Sequence, residues 1–247
     1  MPLKEQITQL SMWSGPRNIS TAMMRSFGNR PDCVAVDEPF YAHYLAKTGL
    51  EHPMRAEILK SQPQQWQTVI KQLDKALPPE KSLLYLKHMT QHMLPEIDRA
   101  ALLDHVHCFL IRDPRLVIAS FAAKWDQIDA NATGFHQQLE LYHYYSRHSP
   151  TAPIIIEGED IQKSSREILQ KLCAACNIPF SDRMLSWERG KKPEDGVWGA
   201  HWYNSVENST GFTAYKPKPI NLTPEQEQLA KELDPVYQEL KCLKLQI

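Results

Sequence analysis

Four short runs in this chain are apolar without interruption: VAV at 34–36, LLYL at 83–86, CFLI at 108–111 and III at 154–156, with segments of helical period between them. A strand that is apolar on both faces must be covered on both, which is the condition of a parallel sheet sandwiched between helical layers. The pattern predicts strands at about 7–13, 33–37, 82–88, 105–112 and 153–158, and helices at about 18–28, 64–77, 114–125, 133–148 and 162–176. The expected fold is α/β, a three-layer α/β/α arrangement wound around a mainly parallel sheet. The stretch 190–222 has no sustained period but carries Trp198, Trp202 and Tyr203, and it reads as a packed lid over a ligand. At 223–226, Thr-Pro-Glu-Gln offers an N-cap, a proline at the first helical position and a capping-box partner in Gln226, so a last helix is expected from there. With 247 residues and 42% hydrophobic content, the chain suits a single domain over 1–247.

Composition narrows the function classes. Lys plus Arg number 28 and Asp plus Glu 29, a formal net charge of −1 with no long run of either sign. Neither a nucleic-acid stripe nor an anionic-membrane patch is implied, and no apolar run approaches the ~18 residues needed to span a bilayer. The five cysteines are an odd number, and no signal peptide is apparent, so reduced thiols and a cytoplasmic location are expected. Cys173 and Cys176 form a CxxC, but Ile168, Leu169, Leu172 and Cys176 share a helical face, and no second ligand pair accompanies them. No metal is expected. His105 and His107 alternate along a strand and read as structural.

In a doubly wound sheet, ligands collect at the carboxyl ends of the strands. Those ends carry Ser14–Arg17, then Asp37 and Glu38, then Lys87 and His88, then Arg112 and Asp113. The first is the stretch SGPRNIST, residues 14–21, at the seam of a strand and a helix, where unpaired N–H groups and the positive end of the helix dipole favour an anion. It does not meet the Walker pattern, because only Gly15 is present and no lysine precedes Ser20 or Thr21. After the fourth strand, Asp113 can cap a helix with Pro114 at its first position. Ser120, about two turns on, then lies on the face that Asp113 and Arg112 begin.

These segments together resemble the sulfotransferase superfamily that uses 3′-phosphoadenosine 5′-phosphosulfate (PAPS). WSGPRNIST is similar to its 5′-phosphosulfate loop, and Arg112 with Ser120 eight positions later resembles its 3′-phosphate motif. YLKHMTQHMLPEI is similar to its strand-three lysine region, and IIIEGEDIQKSSREILQKLCAACNIPF to a later strand-and-helix segment. WERGKK at 187–192 resembles the basic loop that touches the 3′-phosphate. The resemblance implies a P-loop NTPase-like fold, PAPS as co-substrate, 3′-phosphoadenosine 5′-phosphate as product and a small-molecule acceptor. It implies that Ser14, Gly15, Pro16, Arg17, Asn18, Ile19, Ser20 and Thr21 hold the 5′-phosphosulfate, and that Arg112, Ser120, Arg189 and Lys191 hold the 3′-phosphate. Many members carry a lysine immediately before the Ser-Gly of the first loop. Trp13 stands there in this chain, and Arg17 is the nearest substitute.

For the base that accepts the acceptor's proton, the resemblance offers two candidates. Glu38 lies in a Glu-Pro segment like one that supplies a catalytic carboxylate, and His88 lies one residue before the position of a catalytic histidine. A one-residue offset in a strand turns a side chain to the other face, which favours Glu38, with Lys87 orienting the sulfuryl oxygens and Asp37 turned away. Two other readings stay open here: a P-loop small-molecule kinase, and a nucleotide-binding protein without catalysis. The acceptor would contact loops at about 40–62 and 126–146, whose residues carry no recognisable code.

Overall fold

A computed structural model describes residues 7–123, 128–217 and 219–246. Five strands form one sheet: β1 (Thr8–Ser14), β2 (Cys33–Asp37), β3 (Leu83–Met89), β4 (Val106–Ile111) and β5 (Ile154–Glu157). All pairings are parallel, in the order β2-β3-β1-β4-β5. Between β1 and β3 run α1 (Ser20–Gly28), α2 (Tyr41–Thr48), α3 (Arg55–Ser61) and α4 (Trp66–Leu73). The remaining helices are α5 (Pro114–Ala122), α6 (Ala130–Thr133), α7 (Phe135–His148), α8 (Gly158–Lys163), α9 (Ser165–Ala175), α10 (Gly199–Trp202), α11 (Asn204–Glu207) and α12 (Pro224–Cys242).

The alternation of side chains along each strand builds two cores. Leu10, Met12, Tyr85, Cys108, Leu110 and Ile156 pack on one face with Met23, Phe27, Leu169 and Leu172 of α1 and α9. Trp13, Leu84, Leu86, Phe109, Ile111 and Ile155 pack on the other with Val69, Val117, Leu141, Tyr145 and Leu233 of α4, α5, α7 and α12. Helices on both faces of a parallel sheet give the three layers expected from the apolar runs.

Three local differences have physical causes. Residues 40–62, read from the sequence as an acceptor loop, hold α2 and α3, which are only 8 and 7 residues long and too short for a clear period. The helix expected at 133–148 is interrupted at Gly134, which adopts φ 73°. The helix expected at 162–176 breaks at Ser164, whose φ of −144° is not helical, giving α8 and α9. In the helix expected at 114–125, α5 ends at Ala122, and residues 124 and 125 lie outside those described. Thr223 and Gln226 close the expected capping box of α12, at 3.3 and 3.1 Å. Among the described residues no helix is long and apolar enough to cross a membrane.

Trp13 is completely buried and stacks on His88 with ring centroids 4.2 Å apart. Its indole N–H donates to His107 Nδ1 at 3.0 Å, which requires that nitrogen to be unprotonated. His107 stacks in turn on Tyr145 at 3.6 Å, and His105 Nδ1 lies 2.8 Å from Ser11 Oγ. Burial pushes the His88 imidazole well below its ordinary range, His105 down to about 4 and His107 down to about 3. These rings are therefore neutral in the folded protein and take up protons near pH 6.5 only when it unfolds. The unfolded chain binds more protons below that pH, so stability falls on acidification, by roughly 2 kcal/mol per imidazole at pH 5. Glu38, a buried carboxyl shifted the other way, offsets this by one proton at most. Denaturant unfolding at pH 7.5 and pH 5 is expected to show a loss of several kcal/mol, reduced in a His105→Asn, His107→Asn double variant. A pH-independent stability would contradict the neutral core.

Candidate active site

Neighbouring strands β1 and β4 send their outgoing connections to opposite sides, β1 toward β2 and β4 toward β5. Their carboxyl ends therefore flank the crevice where a doubly wound sheet opens to ligands. The stretch SGPRNIST leaves β1 at this point. Arg17 and Ile19 both adopt left-handed backbone, φ 62° and 48°. Such alternation turns successive N–H groups toward one side and forms an anion-binding concavity. Two side chains tie this loop across the crevice: Asn18 Nδ2 donates to the Leu110 carbonyl, and Arg112 Nη1 donates to the Arg17 carbonyl. The N-cap of α1, Ile19, offers no capping side chain, and Ser20, Thr21 and Ala22 of its first turn line the cavity. Gly15 has no room for a side chain, since a Cβ there would lie 2.3 Å from the Thr133 carbonyl oxygen.

The cavity encloses about 1170 Å³ and brings together most of the residues singled out in the sequence. Pro16, Arg17, Asn18, Ile19, Ser20, Thr21, Glu38, Lys87, Arg112 and Ser120 all line it. Arg17 Nε donates to Ser120 Oγ at 3.0 Å, so the first loop and the helix after β4 meet at one point. Among the described residues neither Arg17 nor Arg112 has a carboxylate within salt-bridge distance. Burial lowers the pKa of both, and Arg17 lowers that of Arg112 further, while Glu159 and Asp113 oppose the shift on Arg112. Two half-buried guanidinium groups with no carboxylate at salt-bridge distance offer donors suited to an anion. Ser14 is buried at the end of β1 and lies outside the lining, and Arg189 and Lys191 lie on an exposed turn beyond it.

Opposite the arginines lies a buried charge cluster. Asp37 ends β2, and Glu38 follows it with φ 40°. Lys87 Nζ donates to Asp37 Oδ1 at 2.8 Å, to Tyr203 Oη at 2.8 Å and to Glu38 Oε1. All three ammonium protons are thus engaged, so the Lys87 expected to orient sulfuryl oxygens is saturated by its own neighbours. Glu38 lines the cavity and Asp37 does not. Burial and the charge of Asp37 raise the Glu38 carboxyl above its usual range, and Lys87 opposes the shift. For Lys87 itself, burial favours the neutral amine, but the two carboxylates reverse this and hold the ammonium charged.

His88 points to the other side of the sheet, between Trp13 and Phe40, as the parity of β3 dictates, and is absent from the main cavity. Two cavity residues escaped the sequence reading. His92, on the 3₁₀ turn Thr90–His92, stacks on Tyr41 at 4.4 Å, and its Nδ1 lies 3.8 Å from Glu38 Oε2. Tyr203 was noted only as a lid aromatic, yet it sits in the charge cluster. The stretch 190–222 wraps the cavity from Trp198 to Thr213, with Trp198 and Tyr203 buried. Among the described residues no group of three or more His, Cys, Asp or Glu side chains is placed to hold a metal ion.

An all-parallel sheet covered by helices on both faces, with an arginine-bearing loop at its switch point, defines a doubly wound α/β protein. The chain belongs to the sulfotransferase domain family, which matches residues 8–243. Among solved structures, the sulfotransferase domain from the curacin biosynthetic pathway superposes with a TM-score of 0.56 at 16% identity, covering 93% of this chain and 98% of that one. A mouse sulfotransferase complexed with PAP gives 0.52 at 13% identity, covering 98% and 92%. Both likenesses concern the fold. Two Arabidopsis thaliana proteins, branched-chain-amino-acid aminotransferase-like proteins 2 and 1, are 31% and 33% identical over 93% of this chain. The chain spans about two fifths of their length, 41% in each case.

The paired arginines set a measurable expectation. Arg112→Ala is expected to weaken binding of adenosine 3′,5′-bisphosphate by roughly 1.5–3 kcal/mol, the worth of a charge-assisted hydrogen bond. Ser120→Ala, which removes one neutral hydroxyl, is expected to cost less. Calorimetric titration compares them, and parental affinity in both variants would rule out this corner as an anion site.

Proposed function

We propose that this protein transfers a sulfuryl group from PAPS to a hydroxyl or amine of a small acceptor. The observation that carries the proposal is the juxtaposition in one cavity of Arg17 and Arg112, neither in salt-bridge contact with a described carboxylate, with the cavity-facing Glu38. Family membership supports sulfuryl transfer in general, and the mouse relative in complex with PAP supports the nucleotide. A Walker lysine is lacking, and an arginine-serine pair suited to a 3′-phosphate is present, both of which favour PAPS over ATP.

In this reading the amides of the α1 first turn and Arg17 hold the 5′-phosphate, while Arg112 and Ser120 hold the 3′-phosphate. The acceptor heteroatom forms its bond to sulfur as the bond from sulfur to the bridging phosphate oxygen breaks, and the acceptor's proton passes to Glu38. Arg17 stabilises the charge that grows on the leaving phosphate, where a preorganised cation acts most strongly. Little covalent work falls to the protein, since positioning and charge stabilisation suffice for transfers of this kind. Residues 190–222 act as a lid that completes the enclosure, and 8–243 function as one sulfotransferase unit.

Transfer of label from PAPS to a metabolite extract, read by mass spectrometry, tests the activity. Preference for ATP with magnesium over adenosine 3′,5′-bisphosphate in a binding titration would overturn it in favour of a kinase. Glu38→Gln is expected to lower turnover at least 100-fold with nucleotide affinity retained, because a general base contributes about 10²–10⁴. His88→Ala is expected to keep most activity per folded molecule. The reverse ranking would exchange the two roles. Arg17→Ala is expected to lower kcat more than product affinity, and an unchanged kcat would remove it from the reacting centre.

A further inference from the structure

The two adjacent carboxylates at the end of β2 are held differently. Asp37 Oδ1 accepts from Lys87, and its Oδ2 accepts from the Tyr203 hydroxyl at 2.6 Å and from the Gly196 N–H at 3.0 Å. Tyr203 Oη also accepts from Lys87 at 2.8 Å and from the Trp198 indole N–H at 3.0 Å, so its proton and both lone pairs are used. Burial, with Asp37 and Glu38 beside it, keeps that hydroxyl protonated. Asp37 is therefore held by three donors, with both oxygens engaged. Glu38 shares only Oε1 with Lys87, and its other oxygen looks toward His92 and the cavity.

We propose that Tyr203 is a positioning residue for the transfer reaction, which pins Asp37 as the resident counter-ion of Lys87 and thereby leaves Glu38 as the carboxylate presented to the acceptor. The inference rests on the reading of Glu38 as the base. Without the Tyr203 hydroxyl, Asp37 loses a donor and Lys87 an acceptor. The less compensated charge of Asp37 then bears on Glu38, which also loses the direct stabilisation that the Tyr203 hydroxyl gives its carboxylate, so its ionisation becomes harder. Without the Asp37 charge, by contrast, Lys87 has Glu38 as its only carboxylate partner in the cluster, and ionisation becomes easier. The other titratable groups around Glu38 are His92 on the 3₁₀ turn, His88 on β3 and Tyr41 on α2. Burial keeps both imidazoles neutral and the Tyr41 phenol protonated, so none of the three changes charge in the range where Glu38 does.

The two substitutions thus move one titration in opposite directions. The acid limb of the kcat profile is expected to rise by roughly one pH unit in Tyr203→Phe and to fall by a similar amount in Asp37→Asn. For Tyr203→Phe this means a loss of roughly 3- to 10-fold on the acid side of the limb, recovered at higher pH. A tyrosine that merely packs would lower kcat equally at all pH values, and that result, or shifts of the same sign, would overturn the proposal. Infrared titration of the carboxyl band that disappears in Glu38→Gln gives the same two shifts without turnover. If the band shifts oppositely in the two variants while no sulfuryl transfer is detected, the positioning by Tyr203 stands and the assigned reaction falls. If the band does not move in either variant, the proposal falls whatever the activity. Should Tyr203→Phe fail to fold, an unmoved or upward-shifted band in Asp37→Asn is enough to overturn it.

Discussion

The loop after β1 is held in its left-handed conformation from across the crevice, by side chains that spend their donors on backbone carbonyls. Asn18 reaches the Leu110 carbonyl at the end of β4, and Arg112 reaches back to the Arg17 carbonyl. Non-glycine residues at positive φ cost of order 1 kcal/mol or more each, and they persist only where the surroundings over-determine them. Here the surroundings are the two central strands of a parallel sheet, among the hardest elements of such a fold to displace. The anion corner, the start of α1 and the meeting of Arg17 with Ser120 all follow from that closure.

Charge is divided inside the enclosure in a way that net charge does not reveal. The chain as a whole carries −1, yet among the described residues the two arginines have no carboxylate within salt-bridge distance, and the acids Asp37 and Glu38 have their own lysine. Glu159 and Asp113 act on Arg112 from beyond salt-bridge distance, so the positive charge of the pair is only partly offset. Lys87, in the same cavity lining, is already paired with Asp37 and Glu38. In the proposed reaction, recognition of the nucleotide and handling of the acceptor's proton would fall to separate groups.

Much of this was legible in the sequence because it is local. Uninterrupted apolar runs gave away the strands, and the spacing from Arg112 to Ser120 gave away a helix face. The parity of β3 already told against His88, since Lys87 and His88 must point to opposite faces. What stayed hidden depends on approach between distant segments. His92 reaches Glu38 only because a 3₁₀ turn folds back over the strand end, and Tyr203 reaches Asp37 from more than a hundred residues away. The short helices α2 and α3 gave too few turns to establish a period. Arg189 and Lys191 are exposed and outside the cavity lining, a placement that the motif naming them does not fix.

The contact between Gly15 and Thr133 leaves no slack for a methyl group, and Gln138 on α7 also donates to the carbonyls of Trp13 and Leu110. The floor of the anion corner and the wall formed by residues 128–132 are therefore geared together, tooth against tooth. A side chain added at Gly15 would have to push the Thr133 carbonyl, and with it the wall that residues 128–132 form, out of its place.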